Sequence, residues 1–190
     1  LIFDEVISGF RVAFGGMAEI TGIRPDLVTY GKIIGGGFPV GAYAGRREIM
    51  QLVAPVGPVY QAGTLAANPV AMAAGLATLE RLADGTAYLA LEDNGRLLDS
   101  LLQGIPGLHL QRFGSLFWLV LDDAGPGAML RTPAAFPVAS ESRFAKLFHA
   151  LLAAGIYLPP SPYETGFLST AHSEEDVHAL ADALRSSLAG

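Results

Sequence analysis

Leu27-Val28-Thr29-Tyr30-Gly31-Lys32-Ile33-Ile34-Gly35-Gly36-Gly37-Phe38-Pro39 is the stretch on which the fold turns. An apolar, β-prone run delivers one lysine into a series of glycines closed by a proline. Glycine admits positive φ and lets the backbone pass close to a neighbour, so the pattern predicts a lysine held in a tight, crowded turn. The chain contains only one other lysine, Lys146. Its other strongly basic residues are arginines, which do not act as amine nucleophiles, so Lys32 is a candidate for covalent amine chemistry. The same spacing also fits an exposed lysine beside an ordinary turn.

Two further apolar runs, residues 1–3 and 40–44, flank this one, with helical or irregular pieces between them. That is the pattern of strands and crossovers in an α/β layer. Pro25-Asp26 punctuates the entry to the middle strand, and residues 46–53 read as a helix followed by a loop at Pro55, Gly57 and Pro58. Asn68-Pro69 opens an alanine-rich helix with proline in its first turn, where the missing N–H costs little. It runs towards Leu82 and stops near Asp84-Gly85. A second helix carries Leu97, Leu98, Leu101 and Leu102 on one face and ends at Gly104, Pro106 and Gly107.

Beyond this point the character changes. Residues 108–112 and 116–121 read as strands joined at Gly114-Ser115, and residues 125–137 as a surface loop. Phe144, Leu147, Phe148, Leu151 and Leu152 form an amphipathic helix ended by Gly155. Residues 156–158 and 166–169 read as short strands around Pro159-Pro160. Ser173 with Asp176 resembles a capping box with Asp in place of Glu, opening a last helix through Val177, Leu180, Ala181 and Leu184. Two domains are expected, residues 1–84 as an α/β remnant and residues 85–190 as a small α+β domain.

Composition narrows the function classes. A net charge of −6 with no cluster of Lys and Arg argues against nucleic-acid binding and for a small-molecule partner. The absence of cysteine leaves no disulfide framework and no thiolate chemistry, which fits a cytoplasmic protein. The four histidines lack metal-ligand spacing, so no metal is expected, and His149 and His172 read as structural. No apolar run is long enough for a bilayer: residues 65–79 are alanine-rich and are broken by Asn68-Pro69. The abundance of Ala, Gly and Leu suggests extensive buried surface, a subunit interface included. Because the chain opens inside an apolar, strand-like run, further residues are expected upstream.

Asp4-Glu5-Val6 falls at the carboxyl end of the first strand, where open α/β sheets place their ligands, and Lys32 lies just past the end of the second. A carboxylate can hold a proton on a ring nitrogen, and an amine can form a Schiff base with an aldehyde, which together are the needs of a pyridoxal phosphate site. By itself Asp4 fits a helix cap or an ion pair with Arg11 as well. Gly63-Thr64 offers a hydroxyl and backbone N–H groups near a helix start, suited to a phosphate, although threonine there is commonly just a cap.

In this order these residues resemble the class III family of pyridoxal phosphate-dependent aminotransferases, of fold type I. The matching stretches are Ile2-Phe3-Asp4-Glu5-Val6 with Gly9-Phe10-Arg11-Val12, residues 31–37 with Pro39-Val40-Gly41-Ala42, residues 58–64 with Asn68-Pro69, and residues 155–158 through Gly166-Phe167 to Ala171-His172-Ser173. Tyr60-Gln61-Ala62-Gly63-Thr64 resembles the family's aminomutase branch, since ordinary class III transaminases usually carry a histidine just before that threonine. Tyr163-Glu164-Thr165-Gly166-Phe167 resembles the same branch. Ala66-Ala67 departs from the more usual Ser-Gly, and Phe38 stands where methionine is frequent.

The resemblance implies the carboxyl-terminal part of a large α/β domain followed by a small α+β domain, with pyridoxal 5'-phosphate and pyridoxamine 5'-phosphate as cofactor forms. It implies Lys32 as the Schiff-base lysine and proton shuttle, Asp4 at the pyridine nitrogen and Val6 against the ring face. Gly63 and Thr64 would serve the phosphate, with Thr64 reaching the neighbouring subunit's cofactor in a homodimer. Glu164 would enter the substrate pocket opposite an upstream arginine, or stand as a solvated loop carboxylate. The implied reaction is the isomerisation of glutamate-1-semialdehyde to the tetrapyrrole precursor 5-aminolevulinate without an outside amino donor. A class III omega-aminotransferase with a separate donor, or an inactive or structural fragment, are the alternatives.

Overall fold

In the computed structural model, which describes residues 1–122, 130–137 and 140–188, the chain divides into two units, Leu1–Tyr88 and Leu89–Gly190. The first is organised by β1 (Ile2–Glu5) and β2 (Leu27–Tyr30), which pair in parallel with Asp4 opposite Thr29 and Glu5 opposite Tyr30. Parallel strands need a crossover, and here it runs through a series of turns into α1 (Gly16–Thr21). Gly22 ends α1 in the left-handed region, at φ 68°, where a side chain would be strained. β3 (Ala42–Gly45) then adds antiparallel to β2.

The helix expected at 46–53 is shorter, α2 (Arg47–Met50). The cause is local: the Ala54 N–H donates to the Val59 carbonyl and the Val59 N–H to the Leu52 carbonyl, each at 2.8 Å, so the chain folds back on itself. α3 (Pro69–Leu82) starts as expected, with the Asn68 side chain accepting the Ala71 N–H at 3.0 Å and proline in the first turn.

α4 (Thr86–Leu102), which belongs to the second unit from Leu89 on, leads to a hairpin of β4 (Leu108–Phe113) and β5 (Leu116–Leu121), and β6 (Gly166–Phe167) completes an antiparallel sheet in the order β4-β5-β6. α5 (Ser140–Ala153) and α6 (Glu174–Leu188) supply the remaining helices. Leu98, Leu121, Leu151 and Leu184 are fully buried, and Phe117, Phe144, Leu147 and Val177 pack among them. This is where the chain's apolar core lies. Ser173 and Asp176 cap α6 reciprocally: the Ser173 N–H donates to Asp176 Oδ2 at 2.8 Å and the Asp176 N–H to Ser173 Oγ at 3.3 Å.

Two expected strands are corrected. Residues 156–158 form no strand, because Gly155, at φ 82°, closes α5 and the Ile156 N–H is already donated to the Leu151 carbonyl at 2.9 Å. Pro159 and Pro160 have no N–H to give. The expected strand 166–169 shrinks to Gly166–Phe167, pairing with Phe117 and Leu116. Of the loop expected at 125–137, the first part lies outside the described residues and the rest contains a 3-10 turn, Pro133–Ala135. Among the described residues no helix is long and apolar enough to cross a membrane.

Candidate active site

Lys32 opens a 3-10 turn, Lys32–Gly35, directly after β2, and its own backbone is left-handed at φ 50°. Few non-glycine residues adopt that region. The glycines explain how the turn is held. A Cβ at Gly36, itself at φ 57°, would strike the Ala74 carbonyl of α3, and one at Gly75 of α3 would strike the Ile34 carbonyl. The turn and the helix therefore meet backbone to backbone through a face of small residues, of which Ala71 and Gly75 are buried. The crowding expected of Lys32 holds for this backbone side only. Its side chain is exposed and borders an open depression of about 610 Å³ with Ile33, Gly37, Phe38, Pro39 and Val40.

The parallel pairing of β1 and β2 carries Asp4 and Val6 alongside. Asp4 Oδ1 accepts the Val6 N–H at 3.1 Å and the Thr29 hydroxyl at 3.4 Å, which are a tight turn contact and a cross-strand contact. Val6 packs on Gly31, the residue before Lys32: a Cβ there would approach Val6 Cγ1 at 3.2 Å. A carboxylate, an aliphatic side chain and the strand end that presents an amine are thus assembled on two adjacent strand ends.

Sequence reasoning passed over Glu5. It is only 1% exposed, and its carboxylate accepts three hydrogen bonds: from the Ser8 hydroxyl at 2.5 Å, the Met17 N–H at 3.0 Å and the Ala18 N–H at 3.0 Å. Gly16, at φ 65°, lies so close to this carboxylate that a Cβ would overlap it. Tyr30 packs nearby, and burial, reinforced by the Glu5 charge, pushes its hydroxyl pKa up. The Gly15-Gly16 pair at the start of α1 was the available signal.

Gly63 and Thr64 sit in an exposed turn closed by the Ala66 N–H to the Gly63 carbonyl at 3.0 Å. Thr64 is not the cap of α3, a role taken by Asn68, and no hydrogen bond among the described residues joins it to Lys32 or Asp4. Glu164 belongs to the second unit and is exposed. Its loop is held by three anchors: the Trp118 indole N–H donates to the Pro162 carbonyl at 2.6 Å, the Tyr163 hydroxyl to Glu141 at 2.5 Å, and Phe136 lies between the Trp118 and Tyr163 rings. The Glu141 hydrogen bond pushes the Tyr163 hydroxyl pKa up. His172 Nδ1 accepts the Ser169 N–H at 3.1 Å.

The Aminotransferase class-III family profile matches residues 1–179. The chain belongs to the class III aminotransferase family. Among curated relatives, this class III chain is 54% identical over 194 residues to the glutamate-1-semialdehyde 2,1-aminomutase of Leptospira biflexa and 51% identical over 195 residues to the enzyme of that name from Thermus thermophilus. Each match covers 99% of the chain and 45% of the relative, so the chain spans somewhat under half the length of these relatives. Among solved structures, an omega-transaminase from Sphaerobacter thermophilus superposes with a TM-score of 0.85 at 34% identity, over 100% of this class III chain and 44% of its own. A glutamate-1-semialdehyde aminomutase from Pseudomonas aeruginosa in complex with PMP shares the fold, with a TM-score of 0.80 at 23% identity, over 100% of the chain and 44% of its own.

Proposed function

We propose that a protein of the relatives' length containing this chain isomerises glutamate-1-semialdehyde to 5-aminolevulinate, with pyridoxal and pyridoxamine phosphate as its cofactor forms. The observation that carries the reading is the assembly of Asp4, Val6 and Lys32 at the parallel ends of β1 and β2. The names of the relatives at about half identity support this choice of substrate.

The residues present fit the cofactor. Asp4 is an exposed carboxylate already oriented by Val6 and Thr29, Val6 offers an aliphatic surface, and Lys32 is an exposed amine on a turn fixed from behind. Bound there, the cofactor supplies an electron sink for the carbanion that forms at the substrate carbon. Asp4 would keep the ring nitrogen protonated, because a carboxylate favours the charged form of a neighbouring cation. Lys32 would hold the cofactor through its amine and, when its amine is free, would carry protons to and from the substrate carbon. Gly63 and Thr64 would hold the phosphate of a second subunit's cofactor. Leu65 in that turn and Val70 and Leu76 on α3, all exposed in the free chain, support burial against another copy. Glu164 takes a place in the substrate pocket. A cytoplasmic location is part of this proposal, in keeping with a sequence free of cysteine.

The test is turnover of glutamate-1-semialdehyde by the complete protein with no 2-oxo acid or amino-acid donor added. Isomerisation under those conditions is the expected result, and an absolute need for a donor would overturn it. The omega-transaminase reading has its own support in the 34% identical Sphaerobacter structure, and a donor requirement would establish it.

A further inference from the structure

The geometry points to Glu5 as a positioning residue that sets the orientation of Asp4 and Val6 from the opposite side of the strand. The inference rests on the cofactor reading of Asp4 given above. Successive side chains of a strand face opposite ways, and here Asp4 is exposed whereas Glu5 is 1% exposed. Each Glu5 oxygen is committed. Oε2 accepts from the Ser8 hydroxyl and the Met17 N–H, and Oε1 accepts from the Ala18 N–H. A buried carboxylate is stable only with such partners, and every one of them comes from the segment that follows β1. The main chain adds a fourth tie, the Gly9 N–H donating to the Glu5 carbonyl at 2.9 Å.

The surroundings are shaped to this carboxylate. Gly16 lacks the Cβ that would overlap it, and Gly9 lacks the Cβ that would press into the Glu5 carbonyl and the Tyr30 ring. The strand end is therefore pinned at Glu5 between the two residues assigned to the ring. Asp4 and Val6 are further linked by the Val6 N–H to Asp4 Oδ1. A rotation of the backbone at position 5 would move both together.

Glutamine at position 5 keeps the size but turns one acceptor into a donor, facing either Ala18 N–H or the Ser8 and Met17 donors. The test uses the complete, cofactor-loaded protein with Glu5→Gln, Asp4→Asn, the double variant and Ser8→Ala. It reads the visible absorbance of the bound cofactor against pH, kcat and KM separately, and amide exchange at Val6 without cofactor. Expected for Glu5→Gln are a spectral change in the same direction as Asp4→Asn, a kcat loss of roughly 10- to 100-fold with little change in KM, and faster exchange at Val6. The double variant should fall no lower than Asp4→Asn alone. Ser8→Ala, which leaves the carboxylate in place with one donor fewer, should give a smaller change of the same kind and carries the test if Glu5→Gln does not fold. A lower melting temperature with unchanged spectrum and multiplying kcat losses would overturn the inference and leave the Asp4 assignment intact. An unchanged spectrum in Asp4→Asn would overturn the Asp4 assignment itself, and the inference with it.

Discussion

Val6 rests on Gly31, with room for hydrogen but scarcely for a methyl group: a Cβ at 31 would stand 3.2 Å from Val6 Cγ1. Gly31 is extended, at φ −162°, so alanine fits its backbone and the substitution tests the contact alone. Gly31→Ala should displace Val6 by a few tenths of an ångström and weaken cofactor binding by about 1 kcal/mol, roughly fivefold. Cofactor titration with a parallel melting curve checks this, the melting temperature moving little.

Replacement of Lys32 separates chemistry from stability. Lys32→Ala should abolish fixation of the cofactor by borohydride and reduce turnover by at least about 10²-fold. Lys32→Gly should be as inactive, yet more stable than the alanine variant by about 0.5 kcal/mol. Relief of the left-handed backbone at φ 50° outweighs the extra chain entropy of glycine. Denaturant midpoints at equal m-values measure the difference.

The turn depends on α3 having no side chain at position 75. Gly75→Ala gains helix propensity but drives a Cβ into the Ile34 carbonyl, a backbone atom that cannot step aside. A net destabilisation of about 1–2 kcal/mol is expected, with loss of cofactor affinity because the displaced segment carries Lys32. Thermal unfolding and cofactor titration together would show it.

In the second unit, Arg112 is 11% exposed and pairs with Glu92 at 2.9 Å and Asp99 at 2.7 Å, with Gly95 leaving space for the guanidinium. The hydrogen bond from Arg112 holds the Glu92 carboxyl below its ordinary value of 4.5. A carboxyl depressed in the folded state stabilises above its unfolded pKa and loses that contribution as pH falls through the folded one. The melting temperature should therefore decline on acidification below about pH 4.5, and the decline should be shallower in Glu92→Gln. Calorimetry of both proteins between neutral pH and pH 3 decides.

Where structure depends on neighbours in sequence, it could be read there. The Asn68-Pro69 start of α3 and the Ser173-Asp176 cap of α6 are matters of one helical turn, and both appear as expected. The strand ends bearing Asp4 and Lys32 were legible from β-prone runs and glycines. Glu5 was not, because its burial is decided by amides of Met17 and Ala18 that arrive from beyond a turn. The strand expected at 156–158 failed because the Ile156 N–H was consumed by the closure of α5, a competition that apolar patterning does not register. For Lys32, glycines announced how close the backbone could come to α3 but said nothing of the open side on which the amine sits.

The Thr29 hydroxyl and Asp4 meet across 25 residues of chain, and the strands that bring them together are parallel. Such a pair cannot form by local zippering: the loop between must first be closed, and its entropy is lost before any contact compensates it. The constellation proposed to bind the cofactor thus comes into being only with this non-local step. Time-resolved uptake of pyridoxal phosphate during refolding would accordingly act as a clock for β1–β2 pairing, lagging behind the formation of α3.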